Sequence, residues 1–102
     1  MNFDLDKVSV GEKIPDLVIE PVTRSTLALY AGASGDHNPI HIDLDFARKA
    51  GMNDVFAHGM LIMAYLGRAI TNIAPQSSLR NFNVRFSSIT NIFYKTRIFI
   101  TD

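Results

Sequence analysis

Asp36 and His41 stand five residues apart in the run Gly35-Asp36-His37-Asn38-Pro39-Ile40-His41. Pro39 has no N–H and pushes Asn38 out of the helical region, while Gly35 permits a positive φ. The segment must therefore be a tight, non-helical turn from whose two limbs a carboxylate and an imidazole can converge. Placed so, the pair can activate a water and move a proton. The spacing is equally compatible with a structural role, in which Asp36 caps local N–H groups and His41 packs in the core.

A second group lies at Ala57-His58-Gly59-Met60-Leu61. If a helix opens at Gly59, its first N–H groups are unpaired and carry the positive end of the helix dipole. A glycine there lets a carbonyl approach the backbone closely, which makes an oxyanion site. The alternative is a packing glycine where helix meets sheet. His58 either orients the catalytic turn or bonds the start of the helix. A metal held by His37, His41, His58, Asp36 and Asp43 is not expected. His37 and His41 are four apart, but Pro39 between them breaks the helix that would align them, and a site needs three convergent ligands.

These residues need elements to hold them. The 102 residues are expected to form one domain, 1–102, with a core of modest surplus stability. Hydrophobic residues make up 47% and charged residues 20%, an ordinary globular balance. Ten basic and ten acidic residues cancel, so charge gives no support for nucleic acid or an anionic membrane surface as partner. There is no cysteine, which removes disulfides, thiolate catalysis and Cys-based zinc sites. The acidic start Met1-Asn2-Phe3-Asp4-Leu5-Asp6 lacks the features of a signal peptide, and a cytoplasmic location is expected.

Along the chain, residues 12–20 read as a first strand, edge or irregular because of Pro15. Thr23 caps a helix from Arg24 to Ala33 with Leu27, Tyr30 and Ala31 on its inner side. Asp43 caps a second, Leu44 to Ala50, with Phe46, Ala47 and Ala50 inward and Gly51 ending it. A third runs from His58 to Ile73, apolar around most of its circumference and so expected to be wrapped by other structure. Its Met60, Leu61, Met63 and Leu66 read as core that could also wall an acyl tunnel. Phe82, Val84 and Phe86 alternate with polar residues as a strand. Ile92, Tyr94, Ile98 and Ile100 do the same as a second, joined to it near Thr90-Asn91. The order argues an α+β domain with an antiparallel sheet against a buried helix.

The two motifs, Gly35 to Asp43 and Ala57 to Leu61, closely resemble the hydratase motif of the MaoC-like dehydratases. These are (R)-specific enoyl-CoA hydratases and 3-hydroxyacyl-thioester dehydratases of the hot-dog fold. Val8-Ser9-Val10-Gly11-Glu12 resembles the family's entry to its first strand, and Asn83-Val84-Arg85-Phe86 the strand after its central helix. The resemblance covers about residues 8–86. It implies an antiparallel sheet wrapped around the central helix and an acyl-CoA or acyl-carrier-protein thioester as substrate. It also implies Asp36 and His41 as acid/base pair, the Gly59 N–H on the thioester oxygen and Asn38 supporting the turn. Neither metal nor redox cofactor is implied, and His37 is given no role. Which of the pair is the formal base stays open.

After Phe86 the likeness ends. Ile89-Thr90 and Phe93-Tyr94 stand where the family has a Pro-Val and then a Gly-Asp turn, and members continue through further strands. A sheet without those last strands is expected, with the central helix partly uncovered. A fragment, a natural truncation or frameshifted end, or a subunit completed by a partner would each account for it. The exposed apolar surface is expected to drive formation of a homodimer or pairing with a partner hot-dog subunit, and the isolated chain is expected to be weakly active. A hot-dog thioesterase is disfavoured, because Met60 to Ile70 holds no acidic residue. A non-catalytic or partner-dependent acyl-thioester-binding subunit is the alternative.

Overall fold

A computed structural model describes residues 4–99. Five regular elements and three short 3-10 turns make an α+β chain. They are β1 (Leu17–Ile19), α1 (Arg24–Ser34), α2 (Leu44–Lys49), α3 (Gly59–Thr71) and β2 (Thr96–Ile98). The strands pair antiparallel, Leu17 opposite Ile98 and Ile19 opposite Thr96.

The helix boundaries follow local chemistry. Thr23 and Thr26 bond reciprocally as a capping box at the start of α1, and Gly35 ends it in the left-handed conformation at φ 79°. Asp43 accepts the Phe46 N–H to start α2. At the other end Gly51, φ 93°, donates to Arg48 and Met52 donates to Ala47. These two bonds satisfy carbonyls that the last turn leaves free, the pattern of a Schellman motif.

The core is a small cluster of Val22, Leu27, Ala47, Val55, Ala57, Leu61 and Ile92. Leu27, Ala31 and Tyr30 turn inward on α1, as the spacing predicts, with Tyr30 half-buried. On α2 only Ala47 does so. Phe46 is 44% exposed and Ala50 is also at the surface, because a helix of six residues presents little more than one side chain to the core.

Three expectations about the strands fail. The first strand shrinks from residues 12–20 to Leu17–Ile19, beyond the reach of Pro15. Residues 82–86 form no ladder, and β2 pairs with β1 instead. Their alternation survives in part, since Phe82 and Val84 are half-buried while Asn83 and Arg85 are exposed, but Phe86 is exposed too. The last strand is confined to Thr96–Ile98. Phe93 takes φ 68° and donates its N–H to Val22 at 2.7 Å, which breaks the extended run after Ile92 and leaves Tyr94 exposed. Ile100, expected at that strand's end, lies outside the described residues.

The long helix is not wrapped. Leu61 alone is buried on α3, and Met60 is 57% exposed. A sheet of two three-residue strands is too small to cover thirteen helical residues. What does cross α3 is the segment 82–86, whose Phe82 ring lies 3.9 Å from the Cβ position of Gly67 and whose Phe86 ring lies 3.5 Å from that of Gly59. Eight helical residues rise about 12 Å and four extended residues span about 13 Å, so the segment runs back along the helix with an aromatic ring on each glycine. Among the described residues no helix is long and apolar enough to cross a membrane.

Candidate active site

Three pieces of backbone meet at one point: the turn after α1, the segment before α3, and the first turn of α3. The first is fixed by its own short side chains. Asp36 Oδ1 accepts from the Asn38 N–H at 3.2 Å, and Asn38 Oδ1 accepts from the Ile40 N–H at 3.1 Å. Pro39 then opens a 3-10 turn that carries His41 inward, 9% exposed. The dull reading of Asp36 is therefore correct as far as it goes: one oxygen caps the turn. That cap also holds the exposed carboxylate beside the two buried histidines.

His41, His58 and Asp36 each place a side-chain donor atom within 4.8 Å of the others. His41 Nδ1 lies 2.8 Å from the Phe56 carbonyl, which can only accept. The neutral ring must then carry its proton on Nδ1, and Nε2 is left with a free lone pair. His58 is 1% exposed, and its Nε2 is 3.3 Å from the Asp36 carbonyl, which fixes the opposite tautomer. The two rings stack, centroids 3.9 Å apart and planes 26° from parallel. Tyr30 meets His58 edge-on at 4.7 Å, and Phe56 meets His41 in the same manner at 5.0 Å.

Burial drives the His58 imidazole below its ordinary value, and the neighbouring His41 adds to the effect. The Asp36 carbonyl and carboxylate pull the other way and lose. At pH 7 His58 is therefore mainly neutral.

Of the five residues considered for a metal, Asp36, His41 and His58 come together, whereas His37 and Asp43 stay outside the group. Asp43 is occupied as the cap of α2. The donor set does not fit an ion well. Imidazole lone pairs lie in the ring plane, so two stacked rings direct theirs along nearly parallel planes instead of toward one point, and His41 Nδ1 already holds Phe56.

Gly59 begins α3, with His58 as its N-cap and no side chain capping the first turn. Leu61 and Ile62 both turn their N–H groups back to the His58 carbonyl, at 3.1 and 3.4 Å. The N–H groups of Gly59 and Met60 precede these bonds, at the positive end of the helix. A groove of about 250 Å³ opens beside Gly59, lined by Phe56, Ala57, Ile62, Phe86 and Ile89 among others. Its lining includes Phe56, whose carbonyl holds His41, and Gly59 at the helix start, but not Asp36, His41 or His58 themselves.

The sequence reading missed Tyr30, Phe56 and Phe86 as site residues. Tyr30 was readable only as a core-facing position of α1. Phe56 contributes a backbone carbonyl, which no side-chain motif announces. The Phe86 contact depends on how residues 82–86 lie along α3.

The family model described as MaoC like domain matches residues 7–92. The chain belongs to the MaoC-like dehydratase family. Fatty acid synthase subunit beta of Saccharomyces cerevisiae is 35% identical over 97 residues, which is 90% of this chain and 5% of that protein. The mitochondrial 3-hydroxyacyl-[acyl-carrier-protein] dehydratase of Arabidopsis thaliana is 33% identical over 78 residues, covering 74% of this chain and 47% of that one. The chain thus spans less than half the length of either relative. The solved (R)-hydratase from A. caviae involved in PHA biosynthesis superposes with a TM-score of 0.74 at 22% identity, over 89% of this chain and 69% of that chain. The fold of this MaoC-like chain is therefore that of the hot-dog (R)-hydratases, represented here by two short strands and α3.

Proposed function

We propose that the chain carries the site of an enoyl-thioester hydratase, adding water to a trans-2-enoyl thioester and, in reverse, dehydrating the 3-hydroxyacyl thioester. The observation that supports this reading best is the convergence of Asp36 and His41 on His58, the residue that caps α3 immediately before Gly59. An acid/base pair, an apolar groove and helix-start N–H groups left unpaired among the described residues are what the reaction needs. The thioester oxygen would lie on the Gly59 N–H, and the acyl chain in the groove along Phe86.

The reaction follows from those placements. Polarising the thioester carbonyl draws electron density from C3. A water held between the Asp36 carboxylate and His41 Nε2 adds its oxygen to C3 as one of the pair takes its proton. The C2=C3 electron pair moves toward the carbonyl, and the resulting enolate oxygen is stabilised at the helix start. A proton delivered to C2 then restores the carbonyl. Asn38 supports the turn through its bond to Ile40, and no cofactor takes part. Hydration of crotonyl-CoA, followed as loss of the enoyl-thioester absorbance, tests this reading. Turnover that disappears in Asp36→Asn is the expected result; a folded chain without turnover would remove it.

One observation favours a second reading, a subunit that needs a partner. The radius of gyration is 16.0 Å, against about 13 Å for a compact chain of this length. Leu29, Met60 and Phe86 are all more than half exposed. An apolar surface of this kind is what a second hot-dog subunit would cover. Activity that appears only with a stable dimer or an added partner would establish it.

A further inference from the structure

His58 joins the three components of the site. It precedes Gly59 in the chain, its Nε2–H is aimed at the carbonyl of Asp36, and its ring lies against the face of His41. We propose that His58 is the positioning residue of the site, a neutral imidazole that tethers the Asp36 turn and supports the His41 ring, so that gaining a proton would disturb the stack on His41. The proposal rests on the hydratase reading for its effect on rate, though not for its effect on structure.

The charge state matters because of what surrounds the ring. His58 Nδ1 is buried and has no hydrogen-bond partner among the described residues. As a lone pair it costs modestly, but as an N–H it would be a buried donor of a cationic ring with nothing to accept it. The titratable groups that face the ring are the Asp36 carboxylate from the turn, His41 from the 3-10 turn and Tyr30 from α1. Asp36 favours a charged His58. Burial and a neighbouring imidazole oppose it, and Tyr30 meets it only with a ring edge. When His41 takes up a proton in turnover, a neutral His58 can accept the stack, whereas a charged one would repel it.

Two substitutions separate the tether from the stack. His58→Phe keeps a ring face against His41 and Tyr30 but loses the Nε2–H. His58→Gln keeps an amide donor able to reach the Asp36 carbonyl but loses the ring. The readouts are the backbone amide resonances of Asp36 to Ile40, the Cε1–H resonances of the histidines, and kcat and KM on crotonyl-CoA. In the wild type, those amides should move with the midpoint at which His58 itself titrates. In His58→Phe they should shift at neutral pH, and kcat should fall by about 10²-fold, the scale of a misplaced catalytic group, with KM nearly unchanged. His58→Gln should restore the amide positions while the His41 resonance loses its ring-current shift.

Amides in the turn that ignore both His58 titration and His58→Phe would overturn the proposal. So would wild-type kcat in His58→Phe. An inactive wild type that still shows the coupled amide shifts would support the positioning role and remove the hydratase reading instead. The titration needs no variant, so a substitution that fails to fold leaves the decisive measurement in place.

Discussion

The ring of Phe86 stands 3.5 Å from the point where a Cβ would project from Gly59. That is an ordinary contact distance, so a methyl group fits between helix and ring without displacing either. Alanine also suits a helix better than glycine, by up to about 1 kcal/mol. Gly59→Ala should therefore fold with a melting temperature equal to or above the wild type. Its methyl would occupy the groove where a thioester has to reach the first N–H groups of α3. Turnover of crotonyl-CoA is expected to drop by about 10²-fold, the worth of one oxyanion donor. Loss of fold, or full activity in a folded variant, would show that Gly59 serves packing alone.

Asp36→Asn separates chemistry from structure at the other end of the site. The carboxylate oxygen that accepts from Asn38 is replaced by an amide oxygen able to accept the same bond. The turn should survive, and thermal stability should change little. Proton transfer should not, and a loss of about 10²- to 10⁴-fold in kcat is expected for removal of an acid/base group. A binding subunit would keep its affinity for an acyl thioester in this variant, so calorimetric titration with butyryl-CoA distinguishes the two functions.

The parts of this chain that were legible in the sequence are those set by near neighbours. Thr23, Asp43 and Gly51 mark helix ends through bonds to residues two to four positions away, and the structure places each as expected. The turn from Asp36 to His41 is legible for the same reason. The strands were not, because a strand exists only if a distant segment pairs with it. Residues 82–86 carry the right alternation yet lie along α3 with no partner strand, while Leu17–Ile19 found Thr96–Ile98 nearly eighty residues away. The roll of site residues was incomplete on similar grounds. The stack of His58 on His41 joins segments seventeen residues apart, and neither local spacing nor the AHG run encodes it.

The small core concentrates its stability in few side chains. Leu27 is completely buried within the cluster that ties α1 to Val55, Leu61 and Ile92. Leu27→Ala should cost about 2–5 kcal/mol, a large share of what a domain of this size has to lose. Gly51→Ala should cost about 1 kcal/mol for a different reason: φ 93° is strained for any residue with a Cβ, although space around it is open. Urea unfolding of the two variants checks both, and a larger loss at Gly51 than at Leu27 would contradict this account of the core.

Stability should depend on pH through His58. Its imidazole is held below the ordinary value of 6.5, chiefly by burial and then by His41. The unfolded chain therefore binds a proton at this position at a higher pH than the folded chain does, and acid favours unfolding. The contribution of neutral His58 is complete above about pH 6.5 and is lost as pH falls from there toward the folded-state value. Melting temperatures at pH 7.5 and 5.0 should accordingly differ more in the wild type than in His58→Phe, which has no proton to gain. Thr23, Asp43 and the apolar core are the same in both proteins, so the difference between the two pH dependences isolates this one ring. Equal dependences would mean that His58 takes up its proton as readily in the folded chain as in the unfolded one, and that its burial is relieved by local opening.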